Sequence, residues 1–394
     1  MRTVLVLNQF ALPRSEGGGT RHIDLFSRVP GWTPKIVAGN RNHYSQKRFA
    51  TPDRRFRLVA VPRQDGGGAS RLVGWLLYSA KALRIALTAP RMDAIYASSP
   101  HMFAPLVGWL ASRARRVPFV LEIRDLWPES IVAAGKMRKG GLAHRVFQQL
   151  ERLLVRRADA IVAVTAGWDD HFASLGVDPT LVFVVPNGTE PADFEIAADR
   201  EALRAKHNIT GNTAVFAGAH GDKDGLDHIL DAAQKLENIR FLLVGAGPAK
   251  AAAISRATQL GLSNIQFREP VPKEDLPGLL KSCDIGIHSV TPLSVFERGM
   301  SPNKLFDYMA AGLPVASNAA GPLSAVVSDG ECGRLGGPND LAFCIQDIAV
   351  ASPAQRARWG AFGKALIRDR FSRQAAASQL AHVLDSVVVG GNKE

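Results

Sequence analysis

Cysteine is scarce in these 394 residues: Cys283, Cys332 and Cys344 are odd in number and lack the spacing of a metal site. That excludes a disulfide-stapled secreted scaffold and predicts reduced thiols in a cytosolic protein. The sequons at Asn187 and Asn208 then carry no meaning. No apolar run approaches the ~20 residues that a membrane-spanning helix needs. The apolar part of Met1–Asn8 is too short for a signal peptide and reads as a first strand. The basic stretches have neither an interleaved aromatic platform nor a groove-reading motif, which argues against nucleic acid as a partner. Gly245-Ala-Gly-Pro248 lacks the third glycine of the dinucleotide fingerprint, Lys250 standing in its place. No acid closes the next strand either, so a nicotinamide dehydrogenase is disfavoured.

What is present is positive charge. The 48 Lys and Arg against 36 Asp and Glu give a net charge of +12, which implies anionic company: nucleotide phosphates, acidic headgroups or nucleic acid. A chain of this length predicts two domains. Strand and helix signals alternate through both halves, predicting an α/β protein of two doubly wound, Rossmann-like parallel sheets facing each other across a cleft. The turn-rich stretch from Asn187 to Pro191 marks the boundary, giving an N-terminal domain over 1–187 and a C-terminal one over 188–365. Ligands of such sheets bind outside the carboxyl ends of the strands.

Several loops at those ends carry chemistry. Ser301–Asn318 predicts a short helix with Ser301 as N-cap, Pro302 in the first turn and Gly312 as the left-handed stop. Asn303, Lys304 and Asp307 are neighbours on its outward side. A helix N-terminus beside a lysine suits a diphosphate, and the carboxylate one turn on can accept from ribose hydroxyls. Lys223, with His220, ends another strand and reaches phosphate from the opposite side, where it would stabilise a diphosphate leaving group. Gly245 and Gly247 form a tight turn lining the nucleotide, and Val271, on the loop 268–273, is a further donor-side residue. Gly18 and Gly19, after the first strand, permit close backbone approach to a phosphate or sugar. His101 either donates to the donor sugar or caps the following helix. Asp125 and Glu129 flank Trp127 past a strand end, as acceptor-side candidates whose division of roles is open. The apolar and basic helix Arg71–Leu87, with Arg113, Arg115, Arg116 and the basic helix near Lys136–Arg157, reads as a membrane-surface patch or as a buried helix with solvated arginines.

Gly17-Gly-Gly-Thr20, Ser99-Pro-His101, Asp125-Leu-Trp-Pro-Glu-Ser130, Pro186-Asn-Gly188, the loop from Gly218 to Leu226, Val244–Pro248 and Lys304–Val315 together resemble glycosyltransferase family 4. The branch they look most like builds O-antigen, capsule and colanic-acid-type polysaccharides. That resemblance implies a GT-B fold and transfer with retention from a nucleotide sugar, UDP-linked at the family level. It also implies a segment over 366–394 that crosses back to the first domain and ends in a polar tail. No metal or other cofactor is expected, and the acceptor would be a lipid-linked saccharide at the cytoplasmic face of an anionic plasma membrane. Lys223, Asp307 and His101 take the catalytic positions: diphosphate lysine, ribose acid and donor-sugar histidine. The first acid of the family signature is missing, since Gly299 occupies its place and Glu297 is out of register. Asp222 stands where an arginine often lies. The rival readings are a nucleotide-sugar epimerase of the same fold and a non-catalytic saccharide-binding subunit.

Overall fold

The computed structural model describes residues 1–17, 19–64, 67–99, 101–293 and 297–390. The chain divides into two compact units, one of Met1–Pro186 with the residues from Ala376 on, the other of Asn187–Ala375.

The first unit is a seven-stranded sheet: β1 Arg2–Leu7, β2 Trp32–Gly39, β3 Phe56–Val59, β4 Ala94–Ser98, β5 Phe119–Ile123, β6 Ala160–Ala163 and β7 Val182–Val184. All neighbours run parallel, in the order β3-β2-β1-β4-β5-β6-β7. Runs such as Val4–Leu7 are apolar at every position because helices cover both faces of the sheet. Ala377, Leu380 and Leu384 of the last helix, Arg373–Gly390, pack on Val4, Ala94 and Val162. The return therefore begins about a turn past Phe371, later than the 366 expected from sequence. The preceding helix, Pro353–Arg370, stays with the second unit, where Phe371 stacks on Phe306.

The second unit is a six-stranded parallel sheet of β8 Thr213–Ala217, β9 Arg240–Val244, β10 Ile265–Arg268, β11 Ile285–His288, β12 Val315–Ser317 and β13 Gly333–Leu335. Its order is β10-β9-β8-β11-β12-β13. Strand order reverses between β1 and β4 in one sheet and between β8 and β11 in the other, and the carboxyl ends of such pairs are where doubly wound sheets hold their ligands. Both sheets are doubly wound, as the alternation of signals predicts.

Candidate functional site

In the second unit the helix at the centre of the sequence pattern spans Asn303–Ala311. Leu305, Phe306, Tyr308 and Met309 form its buried face, and the Tyr308 hydroxyl accepts the Ala217 N–H at 2.8 Å, seating the helix at the end of β8. Gly312 takes the left-handed stop at φ 77° as expected. The start differs. Pro302 is the capping residue and supplies no side-chain acceptor, while the Ser301 hydroxyl accepts instead from the Asn187 N–H at 2.9 Å. A competing donor from the boundary turn has taken the oxygen.

Lys304 also departs from its expected outward position. Its ammonium lies 2.7 Å from Asp224 Oδ1 and 3.9 Å from the centre of the Phe216 ring, and the side chain is only 14 % exposed. Burial lowers its pKa while Asp224 opposes that. Asn303 is exposed at the helix start.

The loops after β8 and β9 are interlocked. Gly218 donates to Val244 O and His220 to Ala246 O, both at 3.0 Å. A Cβ at Gly245, where φ is 153°, would lie 1.9 Å from Gly218 O, and one at Gly247 would lie 2.3 Å from His220 O. Only glycine permits that approach. His220 is buried with neither ring nitrogen partnered among the described residues, and burial pushes its pKa down to about 4. A neutral imidazole results, holding one donor and one acceptor ready. Lys223 is exposed at the loop tip, its side chain unpartnered among the described residues, while its carbonyl accepts the Thr291 N–H at 3.0 Å. Val271 is half-buried and packs against the core of the second unit.

Asp307 accepts from the Thr189 hydroxyl at 2.7 Å, and burial raises its pKa to about 6. Sequence reasoning missed Thr189, although its place directly after Pro186-Asn-Gly188 was a signal. Gly299 is buried at φ 137°, a conformation that an acidic side chain enters only with strain, while Glu297 is exposed. This backbone therefore disfavours a signature acid at 299.

In the first unit, His101 lies at the β1/β4 switch point, fully buried. Its Nδ1 accepts the Ala104 N–H at 3.3 Å, which leaves Nε2–H to donate to Gln9 Oε1 at 3.1 Å. It thus caps the helix Phe103–Arg115, and it stacks on Trp75 with ring centres 5.3 Å apart. Burial drives its pKa down to about 3, so it stays neutral. Gly18 lies outside the described residues. Gly19 turns at φ 64° and its carbonyl accepts the Leu12 N–H. The acceptor-side candidates separate. Asp125 is exposed without a partner among the described residues, and Trp127 is buried against Trp75 and Phe147. Glu129 accepts from His144 and Gln148, at 3.2 and 3.3 Å. Of the two carboxylates, Asp125 is the one left free.

Sequence reasoning also missed the cluster beneath these loops. Glu122, at the end of β5, is fully buried and accepts from Arg21 at 2.9 Å, with His22 Nε2 2.8 Å away. Arg21 further donates to the carbonyls of Val185 and Pro186. The alternation of apolar residues gave no hint of it, because Glu122 occupies a core position.

Among the described residues no three His, Cys, Asp or Glu side chains gather as a metal site, and no helix is long and apolar enough to cross a membrane.

Comparison with known proteins meets this geometry. Residues 28–188 match the family model "Glycosyl transferase 4-like domain", and residues 211–349 match "Glycosyl transferases group 1". The chain is 28 % identical to the putative colanic acid biosynthesis glycosyl transferase WcaI of Escherichia coli K12, over 66 % of this chain but only 63 % of that protein. It is 23 % identical to the probable glycosyltransferase WbjE of Pseudomonas aeruginosa, over 82 % of this chain and 80 % of that one. Among solved structures, Anabaena HepE in complex with UDP and glucose superposes with a TM-score of 0.72 at 20 % identity, covering 98 % of this chain and all of that one. At that identity the likeness speaks for the fold.

Proposed function

Since the chain is a glycosyltransferase of GT-B architecture, with a 4-like domain followed by a group 1 domain, we propose that it moves a sugar, with retention of configuration, from a UDP-linked donor to a lipid-linked saccharide during cell-surface polysaccharide synthesis. The observation that carries the donor half is Lys223, an exposed and unpaired ammonium on a glycine-locked loop at a sheet's switch point. As the glycosidic bond breaks, negative charge builds on the departing diphosphate, and a fixed cation there lowers the barrier. Asp307 would accept from the ribose hydroxyls, and Gly245 and Gly247 would admit the phosphates to the backbone. His220 would donate its one N–H to the same diphosphate. His101, neutral and donating to Gln9, would take the role of the donor-sugar histidine. The leaving phosphate itself takes the acceptor proton as the hydroxyl attacks from the same face. HepE, crystallised with UDP, supports the choice of nucleotide. WcaI and WbjE support the polysaccharide setting.

For the acceptor, a lipid anchor at an anionic cytoplasmic membrane face is favoured by the helix Gly67–Thr88. Leu72, Val73, Leu76 and Leu77 are between 41 % and 51 % exposed there, beside Arg71 and Arg84. Burying one leucine yields ~1.5–3 kcal/mol. The double variant Leu76→Glu/Leu77→Glu should therefore lose at least about 10-fold in binding to anionic phospholipid vesicles by sedimentation, with turnover of a water-soluble acceptor preserved.

Incubation with labelled nucleotide sugars, with and without membrane lipid extract, tests the whole. Label moving into lipid supports transfer, acceptor-free isomerisation would support an epimerase, and binding without turnover would support a non-catalytic subunit.

Asp307 adds a pH dependence. Ribose hydroxyls donate best to its ionised form, so affinity for UDP should fall as pH drops below about 6, and titration calorimetry of Asp307→Asn should give a flatter profile. The sign for stability is opposite. Its folded pKa is raised, so ionisation opposes folding: the favourable contribution is full below the ordinary carboxylate value and is lost as pH rises toward 6. Asp307→Asn should thus bind UDP worse at pH 8 without melting earlier.

A further inference from the structure

Resting on the donor reading above, we infer that Asp224 is a positioning residue for the diphosphate site. It acts through its ion pair with Lys304, and Lys304 serves the loop rather than the nucleotide.

The loop 221–225 is tied at nearly every residue. Gly221 N–H donates to Asp224 Oδ2 at 3.1 Å. The Asp222 carbonyl accepts from the Thr291 hydroxyl at 2.8 Å, and the Lys223 carbonyl from the Thr291 N–H at 3.0 Å. The Gly225 carbonyl accepts from the Ser289 hydroxyl at 2.8 Å. A further tie is Asp224 Oδ1 to Lys304 Nζ at 2.7 Å, across from the first turn of the Asn303–Ala311 helix. Both partners of that pair are nearly buried, at 14 % and 13 % exposed. The lysine stem crosses Gly218, where a Cβ would sit 3.0 Å from Lys304 Cε, and its ammonium rests over the Phe216 face. One carboxylate thus joins the loop's own turn to the helix, and the lysine's charge is spent on carboxylate and ring. Lys223 is the one cation of the loop 221–225, and it is exposed.

A buried pair that loses one partner leaves an uncompensated charge, whereas losing both is far milder. Asp224→Asn keeps an acceptor for Gly221 N–H but puts an amide NH2 in place of the oxygen that faces Lys304, removing the charge and that acceptor together. Titration calorimetry with UDP should show Asp224→Asn and Lys304→Met each weakening binding by about 10-fold, in the range of a lost charged hydrogen bond. The double variant should bind no worse than either single one, because both act through one contact. Thermal melts of the same four proteins, with Asp224→Asn as the near-isosteric check, separate misfolding from a displaced loop. If Asp224→Asn bound UDP unchanged or more tightly, or if the two losses multiplied in the double variant, Lys304 would be an anion anchor and the positioning role would be overturned. UDP binding by the wild type that Lys223→Ala weakens keeps the donor reading intact in that event. A wild type that takes no nucleoside diphosphate overturns both.

Discussion

Replacing Lys223 with alanine should lower kcat/KM for the sugar donor by about 10²–10³, the usual loss when one charge-stabilising group is removed from a transition state. Folding should be nearly untouched. The side chain is exposed and makes no hydrogen bond or ion pair among the described residues, and substitutions of that kind change stability by no more than about 0.5 kcal/mol. Steady-state kinetics beside a thermal melt would show activity gone and the transition unmoved. Donor-dependent turnover at the wild-type rate would remove Lys223 from the mechanism. The loss should also divide unevenly: charge develops as the bond breaks, so kcat falls more than the affinity for intact donor. The same substitution at Lys304 should lack this signature, because its ammonium is already held by Asp224.

Glu122→Gln should do the reverse, damaging stability first. The carboxylate is fully buried. Burial alone would push its pKa up, but the Arg21 guanidinium and His22 outweigh this and hold it well below the usual carboxylate range. A neutral amide removes the carboxylate charge paired with Arg21, which is 10 % exposed, and breaking such a pair costs about 3–5 kcal/mol. In a domain of this size that lowers Tm on the order of 10 °C. The pH dependence follows from the lowered folded pKa. The pair's stabilisation is complete above the ordinary carboxylate value and disappears as pH falls through the folded one. Denaturant titrations at neutral and acid pH should find the gap between wild type and variant closing toward acid. A Tm within a degree of wild type at neutral pH would refute the assignment.

The legible parts of this molecule are those where a local rule and a buried surface agree. Val4–Leu7 is apolar throughout, and Phe119–Ile123 and Thr213–Ala217 are apolar but for Glu122 and Thr213, so their strands and the doubly wound order could be anticipated. Gly312 was legible because a left-handed stop has few other solutions. Ser301 misled for the converse reason. Its capping preference is local, but a backbone N–H 114 residues away offered a better partner. Lys304 misled similarly: helix periodicity placed it outward, and periodicity knows nothing of Asp224 or Phe216. The Arg21–Glu122–His22 cluster was illegible because its members lie 101 and 100 residues apart. Asp125 and Glu129, equivalent on paper, are told apart only by His144 and Gln148, which engage one and leave the other.

The clasp between Gly218–His220 and Gly245–Gly247 also bears on how such a protein changes over generations. A methyl group on either glycine of the second turn would run into backbone of the first, and backbone has no rotamer to yield. Neither turn can then drift alone, and a lineage acquiring a new donor sugar must find its variation elsewhere along the sheet edge. Libraries meant to redirect this enzyme should hold those four positions fixed and spend their diversity around Asn303, whose exposed side chain carries no such constraint.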